Sequence, residues 1–211
     1  SLDKSLKRMN LDYVDIFYHH RPDTDTPLEE TMEALAGIVK QGKALYIGLS
    51  NYGPEKLKEA SELLKSMGTK CLIHQHRYSM LSQENNRLLE TIHQEGMGAI
   101  AFCPLAQGLL TDKYTNGIPM DSRAAGNSVF LKQGDITDDL LIKIGLLNDI
   151  AQKRGQKLSQ MALAWALTTG ELTSVILGAS RASQIIENIE ALENTSFTEG
   201  ELQEIENILG K

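Results

Sequence analysis

Short runs of β-branched and aromatic residues alternate with helix-forming segments along this 211-residue chain. The first run, residues 13–18, precedes a helix predicted over residues 27–41, in which Thr26 is the N-cap, Pro27 the first helical residue and Glu29 the capping-box carboxylate. Strands that alternate with helices form parallel sheets with right-handed crossovers. The alternation therefore predicts an α/β fold.

Five strands are predicted, over residues 13–18, 44–50, 71–75, 99–102 and 173–178. Between and after them, helices are predicted over residues 27–41, 54–66, 84–94, 138–154, 159–169, 182–193 and 198–209. Residues 104–138 are rich in Gly, Asn, Asp, Ser and Pro, which indicates a surface loop over a site. From the residues alone, the five strands are compatible with an open doubly wound sheet and with a fragment of a larger barrel.

The composition limits the classes of function. The net charge of -7 and the pI near 5.3 argue against a nucleic-acid surface, because phosphate binding needs clustered Lys and Arg. No apolar run approaches the ~18 residues of a membrane helix, and no signal peptide opens the chain, so we expect no membrane partner and a cytoplasmic protein. The chain begins at Ser1 without an initiator Met, as expected of a processed, trimmed or cloned piece. Cys71 and Cys103 are expected to be buried free thiols.

Polar residues follow the predicted strands where chemistry is found in parallel α/β proteins. His19 and His20 end the first strand, and their side chains point to opposite faces, so only one can face a site. The other strand ends offer amides, an aromatic ring and a helix N-terminus able to receive phosphate. They are Ser50-Asn51, Gln75, Phe102-Cys103 and Gly178-Ala179-Ser180-Arg181.

His74 and His76 form an i, i+2 pair on one strand face, a spacing that metal sites can use. The sequence offers no obvious third ligand, and polarity of an exposed strand surface explains the pair equally well. We therefore expect no metal.

Four motifs follow one another along the chain. They are Asp12-Tyr13-Val14-Asp15 before His20, Ile47-Gly48-Leu49-Ser50-Asn51-Tyr52, Pro104-Leu105-Ala106-Gln107-Gly108-Leu109-Leu110-Thr111, and Gly178-Ala179-Ser180-Arg181 with Gln184, Glu187 and Asn188. In this order and at these spacings, they make the chain resemble the carboxyl-terminal two-thirds of an aldo-keto reductase. The resemblance extends to the branch that includes bacterial glyceraldehyde 3-phosphate reductases and potassium-channel β subunits.

The resemblance implies a (β/α)8 TIM barrel with NADPH lying across its carboxyl end. Residues 1–211 would form one partial barrel domain that contains strands four to eight, with the first three strands missing. Residues 1–9 would be the end of the preceding helix.

The resemblance also assigns residues to the cofactor. Ser50, Asn51 and Gln75 would hold the nicotinamide carboxamide, and Phe102 would stack on the ring. An Arg beside a helix N-terminus fits a 2′-phosphate, which favours NADPH over NADH. The pyrophosphate path would be lined by Cys103, Leu105, Gln107, Gly108, Thr111 and Lys113, with Arg123 in a covering loop. The adenosine end would be bound at Gly178, Ser180, Arg181, Gln184, Glu187 and Asn188. Cys103 replaces the hydroxyl residue usual in the family.

By resemblance, His20 is the catalytic histidine that orients a small-molecule carbonyl substrate while NADPH supplies a hydride. The family's proton-donating Tyr and its Lys and Asp partners belong to the missing third, and none of the six tyrosines here matches that Tyr. We therefore expect residues 1–211 alone to give no measurable carbonyl reduction.

Three interpretations remain open: an NADPH-dependent reductase of aldehydes or ketones, a non-enzymatic NADPH-binding subunit that senses redox state or regulates a partner, and a truncated inactive product. His20 favours the first, because the channel-associated relatives differ there. An incomplete barrel would expose two sheet edges, so the chain should pair with its missing portion, form a homo-oligomer or be only the ordered part of a longer polypeptide.

Overall fold

The computed structural model describes residues 1–83, 86–114, 131–168 and 170–210. Its strands are Val14–His19 (β1), Ala44–Ser50 (β2), Cys71–Arg77 (β3), Gly98–Phe102 (β4) and Ser174–Ile176 (β5). Its α-helices are Leu2–Met9 (α1), Leu28–Lys40 (α2), Pro54–Ser66 (α3), Asn86–Gln94 (α4), Asp138–Lys153 (α5), Leu158–Thr168 (α6), Ala182–Ile189 (α7) and Glu199–Leu209 (α8). The predicted alternation of strands and helices is confirmed, with shifts of a few residues at the boundaries.

The strands form one sheet in the order β1-β2-β3-β4-β5. β1 pairs with β2 and β2 with β3, in both cases in parallel. A doubly wound sheet reverses its strand order at a switch point, whereas strands that follow one another in chain order are wound as in a barrel. The strand order therefore argues against the open doubly wound alternative.

By contacts, the chain divides into two compact units. The first contains Ser1–His76 and Asn85–Ile100, and the second contains Arg77–Glu84 and Ala101–Lys211. The core of the first unit joins the sheet to its helices: Ile47 and Leu49 of β2 and Leu57 and Leu64 of α3 are fully buried. Burying such side chains stabilises a fold by about 1.5–3 kcal/mol each.

The second unit has a buried helix at its centre. Every residue of α6 from Leu158 to Ala166 is buried, which suits its run of Ala, Leu and Met. The ring of Trp165 stacks on that of Tyr78, with ring centroids 5.7 Å apart. α6 also packs against α5, α7 and β5, so it forms the core of this unit.

The helix start predicted at Thr26 is wrong. The N-cap of α2 is Pro27, and no side chain caps the helix. The Thr26 hydroxyl instead donates a hydrogen bond of 2.7 Å to the carboxylate of Asp23. A competing local acceptor in the preceding turn therefore displaced the helix start by one residue.

Several aliphatic side chains of the second unit are exposed. Those at the carboxyl-terminal side of the unit are Ile185, Ile186 and Ile189 of α7 and Leu192 of the following 3-10 turn, each more than half exposed. The sequence prediction of self-association or of pairing with a further segment stays a prediction. Within the described ranges, no helix is long and apolar enough to cross a membrane.

Candidate functional site

Four of the predicted site residues lie together in the first unit, at the carboxyl ends of three adjacent strands. Ser50 is buried at the end of β2 and is in register with Gln75 of β3. The backbone N–H of Asn51 donates to the carbonyl oxygen of Gln75 at 3.1 Å. The side chain of Asn51 donates to the carbonyl oxygen of His20 at 2.9 Å. Asn51 therefore joins the ends of β1 and β3.

These contacts fix which atoms of Asn51 are donors and which accept. Its Nδ2 group donates both to the His20 carbonyl oxygen and, at 2.9 Å, to the hydroxyl oxygen of Ser50. A main-chain carbonyl can only accept, so the amide orientation follows from chemistry. With both amide hydrogens engaged, Oδ1 of Asn51 is left as an acceptor, and the Ser50 hydroxyl keeps its own hydrogen for donation.

The two histidines at the end of β1 have different surroundings. His20 is exposed, whereas His19 is half-buried and its Nδ1 lies 2.7 Å from the hydroxyl of Tyr52. Burial lowers the pKa of His19, and it raises the pKa of Tyr52 to about 12. Both groups are therefore neutral near pH 7, and they tie the end of β1 to the turn after β2. No role for Tyr52 was predicted from the sequence.

The loop after β4 has an unusual backbone. Cys103, Ala106 and Gln107 are non-glycine residues with φ of 55°, 47° and 61°, and Gly108 follows with φ of 97°. Residues other than Gly rarely adopt this left-handed conformation. The side chain of Gln107 donates to the Cys103 sulfur at 3.1 Å, and the Thr111 hydroxyl donates to the Gly108 carbonyl at 2.7 Å. Hydrogen bonds of the loop's own side chains therefore stabilise its conformation.

The start of α7 is capped by one side chain. Oε1 of Gln184 accepts hydrogen bonds from the backbone N–H of Ser180 at 2.9 Å, from the Ser180 hydroxyl at 3.1 Å and from the backbone N–H of Arg181 at 3.2 Å. These are amides that the resemblance assigns to the cofactor. A phosphate bound there would have to replace Gln184 as their acceptor.

Further along α7, Glu187 is half-buried and Asn188 is buried. Oε2 of Glu187 lies 2.6 Å from Nζ of Lys157, at the start of α6. The hydrogen bond to Glu187 raises the pKa of Lys157. Lys157 is outside the predicted set, and nothing in the local sequence singles it out.

The remaining predicted residues are placed as follows. Phe102, Leu105 and Thr111 are half-buried, whereas Lys113, Gly178 and Arg181 are exposed. Arg123 lies outside the described residues. The free thiols are confirmed, but Cys103 is only half-buried, because it follows β4 instead of lying within it.

His74 and His76 are buried, so the alternative that they mark an exposed strand surface is wrong. Their rings stack with centroids 5.5 Å apart. Burial lowers the pKa of His74 to about 3. The neighbouring His76 lowers this pKa further, whereas a hydrogen bond with the Tyr52 backbone raises it. Burial also lowers the pKa of His76 to about 4. No group of three His, Cys, Asp or Glu side chains in the described part of the chain could hold a metal.

Comparison with known proteins identifies the family. A family model described as the aldo/keto reductase family matches residues 1–209. The chain is 52% identical over 211 residues to L-glyceraldehyde 3-phosphate reductase of Escherichia coli K12, across 98% of this chain and 61% of that protein. It is 39% identical over 196 residues to a probable voltage-gated potassium channel subunit beta of Arabidopsis thaliana, across 90% of this chain and 59% of that protein.

A crystal structure of a thermostable aldo-keto reductase in complex with the inhibitor epalrestat matches with a TM-score of 0.75 and 28% identity, over 99% of this chain and 64% of that chain. The chain therefore belongs to the aldo/keto reductase family and has its α/β fold. It spans 61% of the length of the Escherichia coli relative. The family resemblance and its branch, predicted from the sequence, are confirmed.

Proposed function

We propose that this chain supplies the cofactor-binding residues and the carbonyl-orienting histidine of an NADPH-dependent reductase of small aldehydes or ketones. The observation that carries the proposal is the contact of Asn51 with both His20 and Gln75, which gathers three assigned residues from three strands. Gathering groups at the carboxyl ends of parallel strands is how α/β barrels build active sites.

The polarity of this cluster suits a carboxamide. Oδ1 of Asn51 can accept a hydrogen bond from the carboxamide N–H, and the Ser50 hydroxyl can donate to the carboxamide oxygen. The acceptor on Asn51 and the donor on Ser50 are in place before any ligand binds, because the side chain of Asn51 is already oriented by its hydrogen bonds to the His20 carbonyl and to Ser50. Such preorganisation lowers the entropy cost of binding.

The second unit offers groups that suit phosphate. The left-handed residues Ala106, Gln107 and Gly108 hold the loop after β4 in a tight turn, in which the N–H groups of Ala106 and Gly108 donate to the carbonyls of Cys103 and Leu105. The exposed cations Lys113 and Arg181 add positive charge to this loop and to the start of α7. An arginine that can bind phosphate through two N–H groups favours NADPH over NADH.

NADPH, when bound, would supply the hydride. The role we assign to His20 is to donate a hydrogen bond to the carbonyl oxygen, which suits its exposed position at the end of β1. Transfer of a proton to the product alkoxide needs a further group, and no tyrosine here matches the family's proton donor. We therefore propose that residues 1–211 bind the cofactor but do not complete the reduction alone.

The relative at 52% identity is named for L-glyceraldehyde 3-phosphate, so we propose a short phosphorylated aldehyde as the first substrate to assay. Relatives at 39% identity are named as channel subunits. If the whole protein bound NADPH but left every aldehyde unreduced, the alternative of a redox-sensing or regulatory subunit would replace the enzyme.

The test is a fluorescence titration of the chain with NADPH. Asn51→Asp keeps the shape of the side chain but cannot donate to the His20 carbonyl, and it should weaken NADPH binding about two- to tenfold, since a typical hydrogen bond contributes about 0.5–1.5 kcal/mol. Asn10→Asp is the matched control, because Asn10 is also left-handed, with φ of 54°, and caps α1 away from the predicted residues. No NADPH binding by the wild type, or equal losses in both variants, would refute the proposal.

A further inference from the structure

Lys157 contacts the helix that carries the predicted adenosine-binding residues. Its Nζ lies 2.6 Å from Oε2 of Glu187, with the side chains 51% and 36% exposed. An ion pair this exposed adds little to folding stability, typically less than about 1 kcal/mol. The geometry of this ion pair is nevertheless well defined, because hydrogen bonds hold the backbone of both Lys157 and Glu187.

The side chain of Gln160 makes these hydrogen bonds. Its Oε1 accepts from the backbone N–H of Lys157 at 2.8 Å, while its Nε2 donates to the backbone carbonyl of Glu187 at 3.1 Å and to Oε2 of Glu190 at 2.8 Å. Gln160 is buried, as is all of α6 up to Ala166. The start of α6 therefore holds both the main chain and the side chain of Glu187.

Lys157 also carries the positive charge in an acidic neighbourhood. After the hydrogen bond to Glu187, the carboxylates that raise its pKa are Glu187 itself, Asp112 and Glu190. Asp112 belongs to the turn between Thr111 and Lys113, on the proposed phosphate path. Lys157 therefore interacts electrostatically with Asp112 as well as with Glu187, and its direct contact is with Glu187.

We propose that Lys157 is a positioning residue for the adenosine end of the cofactor. It engages Oε2 of Glu187, so that Oε1 is held ready to accept a hydrogen bond from the amine or a hydroxyl of adenosine. This inference rests on the proposed function, because it presumes that Glu187 contacts adenosine. Holding one flexible side chain in place before binding changes affinity about three- to tenfold.

The experiment is calorimetric titration of the 211-residue chain with 2′,5′-ADP, which carries the adenosine and 2′-phosphate without the nicotinamide. Lys157→Met should weaken binding about three- to tenfold, and Lys157→Arg should restore most of the loss. Lys153→Met is the matched control: Lys153 pairs with Glu204 at 3.5 Å and is 69% exposed, so the same charge is lost outside the proposed site. Its affinity should match that of the wild type.

A double-mutant cycle separates positioning from a general effect of charge. Glu187→Ala should itself weaken binding, and adding Lys157→Met to it should change the affinity less than twofold. Thermal unfolding of each variant shows whether it is folded at the titration temperature. An effect of Lys157→Met that persists in full without Glu187, or a wild-type affinity in Lys157→Met, overturns the inference while the proposed function stands. If the wild type does not bind 2′,5′-ADP, or Glu187→Ala binds it as well as the wild type does, the proposed adenosine site is refuted, and the inference about Lys157 is refuted with it.

Discussion

Mild acid should destabilise the first unit through two buried histidines. His74 is fully buried and His76 is 5% exposed, and their stacked rings face each other at 5.5 Å. Burial lowers their pKa values to about 3 and about 4, from an ordinary value of 6.5. The folded state therefore keeps both rings neutral at a pH where the unfolded chain protonates them.

The sign and size of the effect follow from that difference in proton binding. As the pH falls, stability falls wherever the unfolded state binds more protons than the folded state, here from about pH 6.5 down to about pH 4 for His76 and about pH 3 for His74. One pKa unit corresponds to about 1.4 kcal/mol, so at pH 5 each histidine lowers the free energy of unfolding by about 2 kcal/mol relative to neutral pH. The pair together accounts for about 4 kcal/mol, a large part of the stability of a typical domain.

Urea unfolding at pH 7.5 and pH 5.0, followed by far-UV circular dichroism, measures this loss. The double variant His74→Gln/His76→Gln should lose about 4 kcal/mol less than the wild type between the two pH values, whatever its stability at pH 7.5. His93→Gln is the control, because His93 is exposed on α4. A pH dependence in the double variant equal to that of the wild type would refute the reasoning.

Three further substitutions test the packing. Arg154→Met should destabilise the second unit by about 3 kcal/mol in urea unfolding, since the buried guanidinium contacts Glu201 at 2.8 Å and two backbone carbonyls. Gly48→Ala should cost about 1–3 kcal/mol in the same assay, because a Cβ there would lie 2.5 Å from the Tyr18 ring; an unchanged midpoint would show that the ring moves freely. Thr198→Ala removes the α8 cap, so the thermal midpoint should fall with a loss of about 1 kcal/mol, and none would mean that the cap is dispensable.

Local sequence signals predicted most of the fold. β2 and α3 begin and end at the predicted residues, because Gly42, Pro54 and Gly68 mark their boundaries by backbone geometry alone. β5 is shorter than predicted, with three residues, and only its central residue is not exposed. A strand at the end of the sheet has a neighbour on one side only, so its length depends on pairing that residue types do not encode.

The candidate site was predictable where it depends on strand ends and not where it depends on tertiary packing. The ends of β1, β2 and β3 converge because parallel strands end at one edge, and this followed from the strand pattern. The alternation of a strand places His74 and His76 on one face but does not say which face is covered by helices. Lys157 likewise reaches Glu187 across 30 residues of sequence, a contact that arises only from the packing of α6 against α7.

Backbone strain points to the same loops as the strand ends do. Among the described residues, the non-glycine residues with left-handed φ are Asn10, Asn51, Cys103, Ala106 and Gln107. Asn10 is a helix C-cap, where Asn is common. The other four lie in the loops after β2 and β4, which we propose to bind the cofactor. For Cys103, Ala106 and Gln107 the left-handed conformation costs about 1–2 kcal/mol that glycine would avoid. Folding stability alone would favour glycine at these positions. The side chain of Gln107 donates to that of Cys103 within the loop after β4, whereas the side chain of Asn51 donates to the carbonyl of His20 at the end of β1, so these left-handed residues hold polar groups in place.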